Sequence, residues 1–145
     1  MNSGLHNGLL HAHSGLRWVL LVLLVTAIAQ AFGNKDKALT NSNRKIALFA
    51  MIFTHIQLLI GLVLYFLPQS KSNLSEPFLN AATRFYTVEH LVGMLIAIAL
   101  ITIGHSKAKK SKSFKPISTY YLIGLFIILA SIPWPFREGL AGGWF

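Results

Sequence analysis

Four stretches of mostly apolar residues, separated by polar or basic segments, divide the chain. They run over residues 9–32, 46–67, 85–104 and 117–134. Because a bilayer core requires roughly 20 apolar residues of helix, each stretch has about the length of a membrane span. Gly33 and Pro68 follow the first two stretches and Pro116 precedes the fourth, where such residues commonly end or begin helices. The pattern predicts an all-α fold, a four-transmembrane-helix up-down bundle in one integral membrane domain, residues 1–145.

The composition agrees with a membrane environment. Of the 145 residues, 54% are hydrophobic and 12% are charged, about half the charged share of a soluble domain. A chain this short cannot bury so much apolar surface in a soluble core. The sequence contains no cysteine, which excludes disulfides, thiolate ligands, iron–sulfur clusters and covalently attached c-type haem. A non-covalent haem remains compatible with the composition.

The positive charges indicate the orientation of the helices. The net charge is +9, with 13 Lys and Arg residues against 4 acidic ones. Because these charges lie in short loops, membrane topology explains them better than nucleic-acid binding. We therefore predict the first and third loops to be cytoplasmic and both termini periplasmic, in a multi-pass protein of the cell inner membrane. The nine basic residues of these two loops are Lys35, Lys37, Arg44, Lys45, Lys107, Lys109, Lys110, Lys112 and Lys115.

Three segments admit other interpretations. The alanines at 27, 29 and 31 resemble the cleavage site of a signal peptide, but no basic residue precedes the first span, and the basic segment after it favours a retained helix. Residues 106–113 are a low-complexity Lys/Ser segment, expected to be a flexible basic loop near anionic lipid. The tail, residues 133–145, is rich in glycine and aromatic residues and is expected on the outer surface or against a partner.

Charged side chains within a span are expensive and suggest function. His13 and Arg17 are four residues apart, so they share one face of the first helix. Arg17 has three possible roles: reaching the outer interface, pairing with Glu89 of the third helix, or binding an anionic group of a ligand. Glu89 precedes His90 and is the only acidic residue within a span.

The histidines inside the spans suggest ligands for a haem iron. His90 shares a helical stripe with Gly93, which leaves either a hollow for a flat macrocycle or a seam for close helix packing. In an up-down bundle the first and third helices lie diagonally across the core, and the outer ends of their spans place His13 and His90 at similar depth. His55 is deeper by this count, although helix tilt would level it with His90. The axial pair is therefore His13 with His90 or His55 with His90.

Other chemistry has weaker support. Three histidines with Glu89 match the ligand types of a zinc or non-haem iron site, but they form no tight local motif. The sequence has no phosphate-binding glycine loop, nucleophile elbow or paired carboxylates. His6, His11 and His105 lie near predicted span ends or in loops, and we expect ordinary surface histidines there.

Three short segments resemble a known family. These are 13–18 (HSGLRW), 54–61 (THIQLLIG), and Glu89 with His90 on a helix running to Gly104. They resemble small bacterial four-helix integral membrane proteins labelled cytochrome b, over nearly the whole chain except the first residues and the tail. The resemblance implies a b-type haem protein of the respiratory membrane, with His13, His55 and His90 at the haem site. Because two well-levelled histidine pairs are lacking, one haem b is expected.

Two functional hypotheses follow. In the first, the protein is a membrane-bound electron carrier in or beside a respiratory chain, without a catalytic centre of its own. Its partners would be quinone and other respiratory subunits or a second copy of the chain, and its cofactor-binding residues would be His13, Arg17, His55, Glu89, His90 and Gly93. In the alternative, the protein is a non-redox structural or assembly subunit of a larger membrane complex, whose histidines and Arg17 make contacts between helices.

Overall fold

The fold is all-helical, as predicted. A computed structural model describes residues 3–68, 73, 75–140 and 144, and contains four main helices. They are α1 (Ser3–Gly33), α2 (Lys45–Phe66), α3 (Ala81–Ser111) and α4 (Lys115–Ser131). The first three are long and apolar enough to cross a membrane, whereas α4 is a shorter apolar helix of 17 residues. The protein is therefore a helical membrane protein.

Some helix ends differ from the prediction. Helix α1 begins at Ser3, six residues before the predicted apolar span. Helix α3 begins at Ala81, four residues before the predicted span, and the side chain of its N-cap residue Asn80 accepts a hydrogen bond from the backbone N–H of Thr83. Helix α4 ends at Ser131, three residues earlier than predicted. Pro133 follows closely, and its ring cannot continue a helix.

The helices form a ring in which sequence neighbours pack side by side. Helix α1 packs on α2 and α4, and α3 packs on α4 and α2. Consecutive helices run antiparallel: the Tyr65 hydroxyl near the end of α2, for example, donates to the carbonyl of Thr87 near the start of α3. Helices α1 and α3 therefore occupy diagonal positions, the arrangement expected of an up-down bundle.

Small residues let the helices of this ring approach closely. A Cβ atom added to Gly104 of α3 would lie 2.6 Å from the Cβ of Tyr120 on α4. Large apolar side chains lie both in the core, as Leu24 and Ile101 do, and on the outside, where Val22 and Phe126 are each 65% exposed. Small residues at helix contacts and apolar residues on the outer surface are expected where lipid replaces water around a bundle.

Helix α3 contains one turn of π-helix over Phe85–Glu89. There the N–H of His90 donates to the carbonyl of Phe85, five residues earlier, and the regular α-helix resumes at His90. A π turn inserts one extra residue and changes the direction of the side chains before it relative to those after it. It therefore sets how the start of α3 is oriented relative to His90.

Candidate functional site

Two imidazole rings meet across the diagonal of the bundle. His13 of α1 and His90 of α3 have ring centroids 6.3 Å apart, with their planes at 74°. Both side chains are partly buried, and the described residues place them at the end of the bundle where α1 begins and α4 ends. The pair brings together two side chains that are good metal ligands when neutral.

The orientation of His90 is fixed by α4. Its Nδ1 lies 2.7 Å from the carbonyl oxygen of Ser131. A carbonyl only accepts, so Nδ1 must carry the proton, and Nε2 keeps its lone pair when the ring is neutral. Gly93 permits this contact, because a Cβ added there would lie 2.1 Å from the Ser131 Oγ. The sequence suggested either a hollow or a close helix contact at Gly93. The structure has a close helix contact there, because Ser131 of α4 occupies the space beside Gly93.

His13 lies against α2. A Cβ added to Gly61 would be 3.1 Å from the Cε1 of His13, so glycine makes room for this ring. Gln57, one turn earlier on α2, donates its side-chain N–H to the backbone carbonyl of His13. The Nδ1 of His13 and the Oε1 of Gln57 are both buried and have no hydrogen-bond partner among the described residues. The site therefore retains polar atoms that a ligand or water could engage.

Arg17 lies one helical turn from His13 and is 8% exposed. Its Nη2 donates to the backbone carbonyl of Trp144 at 2.8 Å. Its guanidinium also lies 5.5 Å from the ring centroid of Trp18 and 5.7 Å from that of Trp134, within cation–π range. Trp144 stacks on Trp18 and thereby brings the tail to this end of the bundle. The positive charge stays close to the histidine pair among aromatic rings.

Glu89 does not join this cluster. Its Oε1 lies 2.7 Å from the Nε of Arg84, and the two side chains are 44% and 51% exposed. Both partners precede His90 on α3 and point to the outside of the bundle. The predicted pairing of Arg17 with Glu89 is therefore wrong: the carboxylate binds an arginine of its own helix, and Arg17 binds the tail.

His55 is held by its own helix. Its Nδ1 lies 2.8 Å from the carbonyl of Met51, four residues earlier, so this nitrogen donates to the backbone.

His90 has ring contacts with His13 and with Phe85, whose centroid is 6.1 Å away. In the part of the chain that the structure describes, no three His, Asp or Glu residues form a group able to hold a metal ion. The candidate metal ligands are therefore the two imidazoles of His13 and His90.

A second polar cluster lies toward the other end of the bundle, where the sequence suggested only a surface histidine. His105 is 7% exposed, and its Nδ1 lies 3.4 Å from the hydroxyl of the fully buried Tyr121. That hydroxyl donates to the carbonyl of Ala47 on α2 at 2.8 Å. The prediction for His105 was wrong because α3 continues to Ser111, which keeps His105 within the bundle and not in a loop.

Sequence and fold comparisons add no relative. Comparisons with protein-family models, with curated proteins and with solved structures give no match to this chain.

Proposed function

We propose that the protein is a membrane-bound b-type haem protein that carries electrons in or beside a respiratory chain, and that His13 and His90 would hold one haem. The 6.3 Å between their ring centroids is the main support. Histidine nitrogens bind metals at about 2.0 Å, so two imidazoles on opposite sides of one ion have centroids roughly 6 Å apart. The observed spacing fits one iron between the two rings.

The surroundings of the pair support the same assignment. Metal-binding histidines usually donate their second N–H to a carbonyl or carboxylate, which orients the ring, and His90 makes this bond to Ser131. Gly61 leaves space on α2 for the ring of His13. These contacts hold both rings without using the Nε2 of His90. The chain thus supplies two side chains that could bind one metal ion.

Arg17 would bind the acidic side groups of the haem. Haem carries negatively charged propionates, and a guanidinium can bind a carboxylate through two hydrogen bonds. The aromatic rings of Trp18 and Trp134 flank the guanidinium of Arg17, which lies one helical turn from His13. When bound, the haem would supply reversible one-electron chemistry, and quinone is the partner we expect within the membrane.

Absorption spectroscopy with haem stoichiometry tests this function. The purified protein, expressed with ample haem, should show a reduced-minus-oxidised b-type band with about one haem per chain. His90→Ala and His13→Ala should lose the band because each removes a ligand. His55→Ala should keep it, since this ring is engaged with Met51. His11→Ala is the matched control, an exposed histidine on the same helix as His13. A colourless wild type, or haem retained by His90→Ala, would overturn the proposal.

The second candidate is a structural or assembly subunit without a redox group. Its support is that the same polar residues link helices: Gln57 of α2 bonds to α1, and His90 of α3 bonds to α4. Such bonds contribute about 0.6–2 kcal/mol each in membranes, which is enough to fix which faces meet. A colourless protein that co-purifies with a stoichiometric membrane partner would favour this candidate, whereas a lone monomer with a haem band would reject it.

A further inference from the structure

A cleft lies at the end of the bundle opposite the histidine pair. The segment between α1 and α2 crosses the end of α3 there, where the N–H of Leu39 donates to the carbonyl of Lys112 at 2.8 Å. Ala38 and Ser113 form an isolated antiparallel bridge beside this bond. Lys112 has a φ of 50°, a left-handed conformation that ends α3 and turns its carbonyl toward the crossing segment. The two loops are thus joined through their backbones.

Side-chain hydrogen bonds hold the wall of this cleft. Asn43 accepts from the N–H of Thr40 through its Oδ1 at 2.7 Å, and its own N–H donates to the Thr40 hydroxyl. The Asn43 side-chain N–H also donates to the carbonyl of Ala38. These bonds are reciprocal and fix the turn that precedes α2. The conformation of the segment that faces α3 is therefore fixed by bonds within the chain and does not require a ligand.

The lining of the cleft is basic. The cleft encloses about 480 Å³, and three of its lining residues are positively charged while none is acidic. The Nε of Arg44 is buried and has no hydrogen-bond partner among the described residues. The volume lies within the range of small-molecule sites. The residues that line the cleft include Leu39, Thr40, Asn41, Arg44, Lys109 and Lys112.

We propose that this basic cleft, formed by Arg44, Lys109 and Lys112, binds a phosphate group, most simply that of an anionic phospholipid headgroup. Arginine matches the geometry of phosphate oxygens, and lysine adds a compact positive charge. The cleft lies at the end of the apolar spans, where headgroups are found, and basic residues between helices bind such headgroups. Leu39 and Ala38 give the lining an apolar portion suited to the adjoining part of a lipid. This proposal is independent of the haem proposal.

Ligand binding to delipidated protein in detergent tests the site. The probes are short-chain phosphatidylglycerol, which is anionic, short-chain phosphatidylcholine, which carries a phosphate but no net charge, and inorganic phosphate. Native mass spectrometry would give the stoichiometry, and a titration would give the Kd. We expect one tight phosphatidylglycerol site per chain, with phosphatidylcholine at least tenfold weaker.

Matched variants distinguish specific binding in the cleft from nonspecific electrostatic attraction to the basic end of the bundle. Arg44→Gln and Lys109→Gln should each weaken phosphatidylglycerol binding about fivefold or more, the effect of one positive charge at a membrane surface. Lys110→Gln removes the same charge from the same helix but lies outside the cleft, so it should change the Kd less than twofold. Lys109 is exposed, so its variant should still fold if Arg44→Gln does not.

The outcomes distinguish the source of the phosphate. If inorganic phosphate displaces the lipid at comparable concentration, the cleft binds soluble phosphate compounds; if it does not, the ligand is the lipid headgroup. Both results support a phosphate site. The proposal is overturned if Lys110→Gln weakens binding as much as Lys109→Gln, if both lipids bind equally, or if no saturable site is found.

Discussion

At the scale of single residues, the histidine site depends on two glycines that face it from different helices. Gly61 leaves space for the ring of His13, and Gly93 allows α4 to approach until the Ser131 carbonyl reaches His90. The two positions differ in tightness. An added Cβ would lie 3.1 Å from His13 at position 61 but 2.1 Å from the Ser131 Oγ at position 93. The second position should therefore tolerate a side chain less well.

Gly93→Ala should lower the free energy of unfolding by about 1–3 kcal/mol, because the new methyl group overpacks the contact between α3 and α4. Gly61→Ala should lower the free energy of unfolding by less than Gly93→Ala does, because the ring of His13 can move by a few tenths of an ångström. Gly15→Ala is the control: nothing lies within 4 Å of its added Cβ, so helix propensity should stabilise it by up to about 1 kcal/mol.

The unfolding midpoint in detergent measures these differences. The double variant Gly93→Ala/Ser131→Ala should recover part of the loss, because it removes the Oγ that the new methyl group meets. A stability for Gly93→Ala equal to that of Gly15→Ala would show that the two helices do not pack as closely as described.

At the scale of elements, the apolar spans predicted the four helices but not the π turn within α3. Hydrophobic runs mark where lipid surrounds a helix, so they locate α1 to α4 well. They carry no signal for one extra residue in Phe85–Glu89, because Phe85 and Thr87 are buried in the π turn without disturbing the apolar pattern. The same apolar pattern assigned His13 and His90 to the first and third helices, but it does not show which residues of other helices contact them. It therefore could not predict the contacts with Gly61 and Ser131.

The π turn exposes a carbonyl to a neighbouring helix. The Tyr65 hydroxyl of α2 donates to the carbonyl of Thr87 at 3.2 Å. Tyr65→Phe should therefore lower the free energy of unfolding by about 0.5–1.5 kcal/mol, the usual effect of one hydrogen bond. Tyr120→Phe is the matched control, because the hydrogen bond that Lys107 donates to the Tyr120 hydroxyl is exposed. The free energy of unfolding of this variant should be nearly unchanged. Equal unfolding midpoints for the two variants would contradict a role for this carbonyl.

At the scale of the whole molecule, the two proposed sites lie at opposite ends of the bundle. The histidine pair and Arg17 lie toward the end of the bundle where α4 ends, and Trp144 also packs there. The basic cleft is formed by the loop that joins α1 to α2 and by the end of α3, where Lys109 and Lys112 lie. Because positively charged loops remain on the cytoplasmic side, the cleft should face the cytoplasm and the histidine pair the periplasm. One orientation of the bundle therefore assigns a compartment to each site.

Cysteine labelling tests that orientation, and the absence of native cysteine makes every label specific. Ser42→Cys lies in the loop before α2, and Glu138→Cys lies after α4; both residues are exposed. A membrane-impermeant maleimide added to intact spheroplasts should label position 138 but not position 42, because only the periplasmic end is accessible. After the cells are broken, both positions should react, which controls for burial of the thiol.

The reverse pattern would place the basic loops in the periplasm. The lysines and arginines of these loops would then lie on the side that positive charge normally avoids, and the cleft could not meet a headgroup of the cytoplasmic leaflet. The histidine pair would remain intact, because its contacts do not depend on sidedness, but its electron partners would be cytoplasmic. Labelling therefore decides which compartment each site serves, while the spectrum and the lipid titration decide whether each site exists.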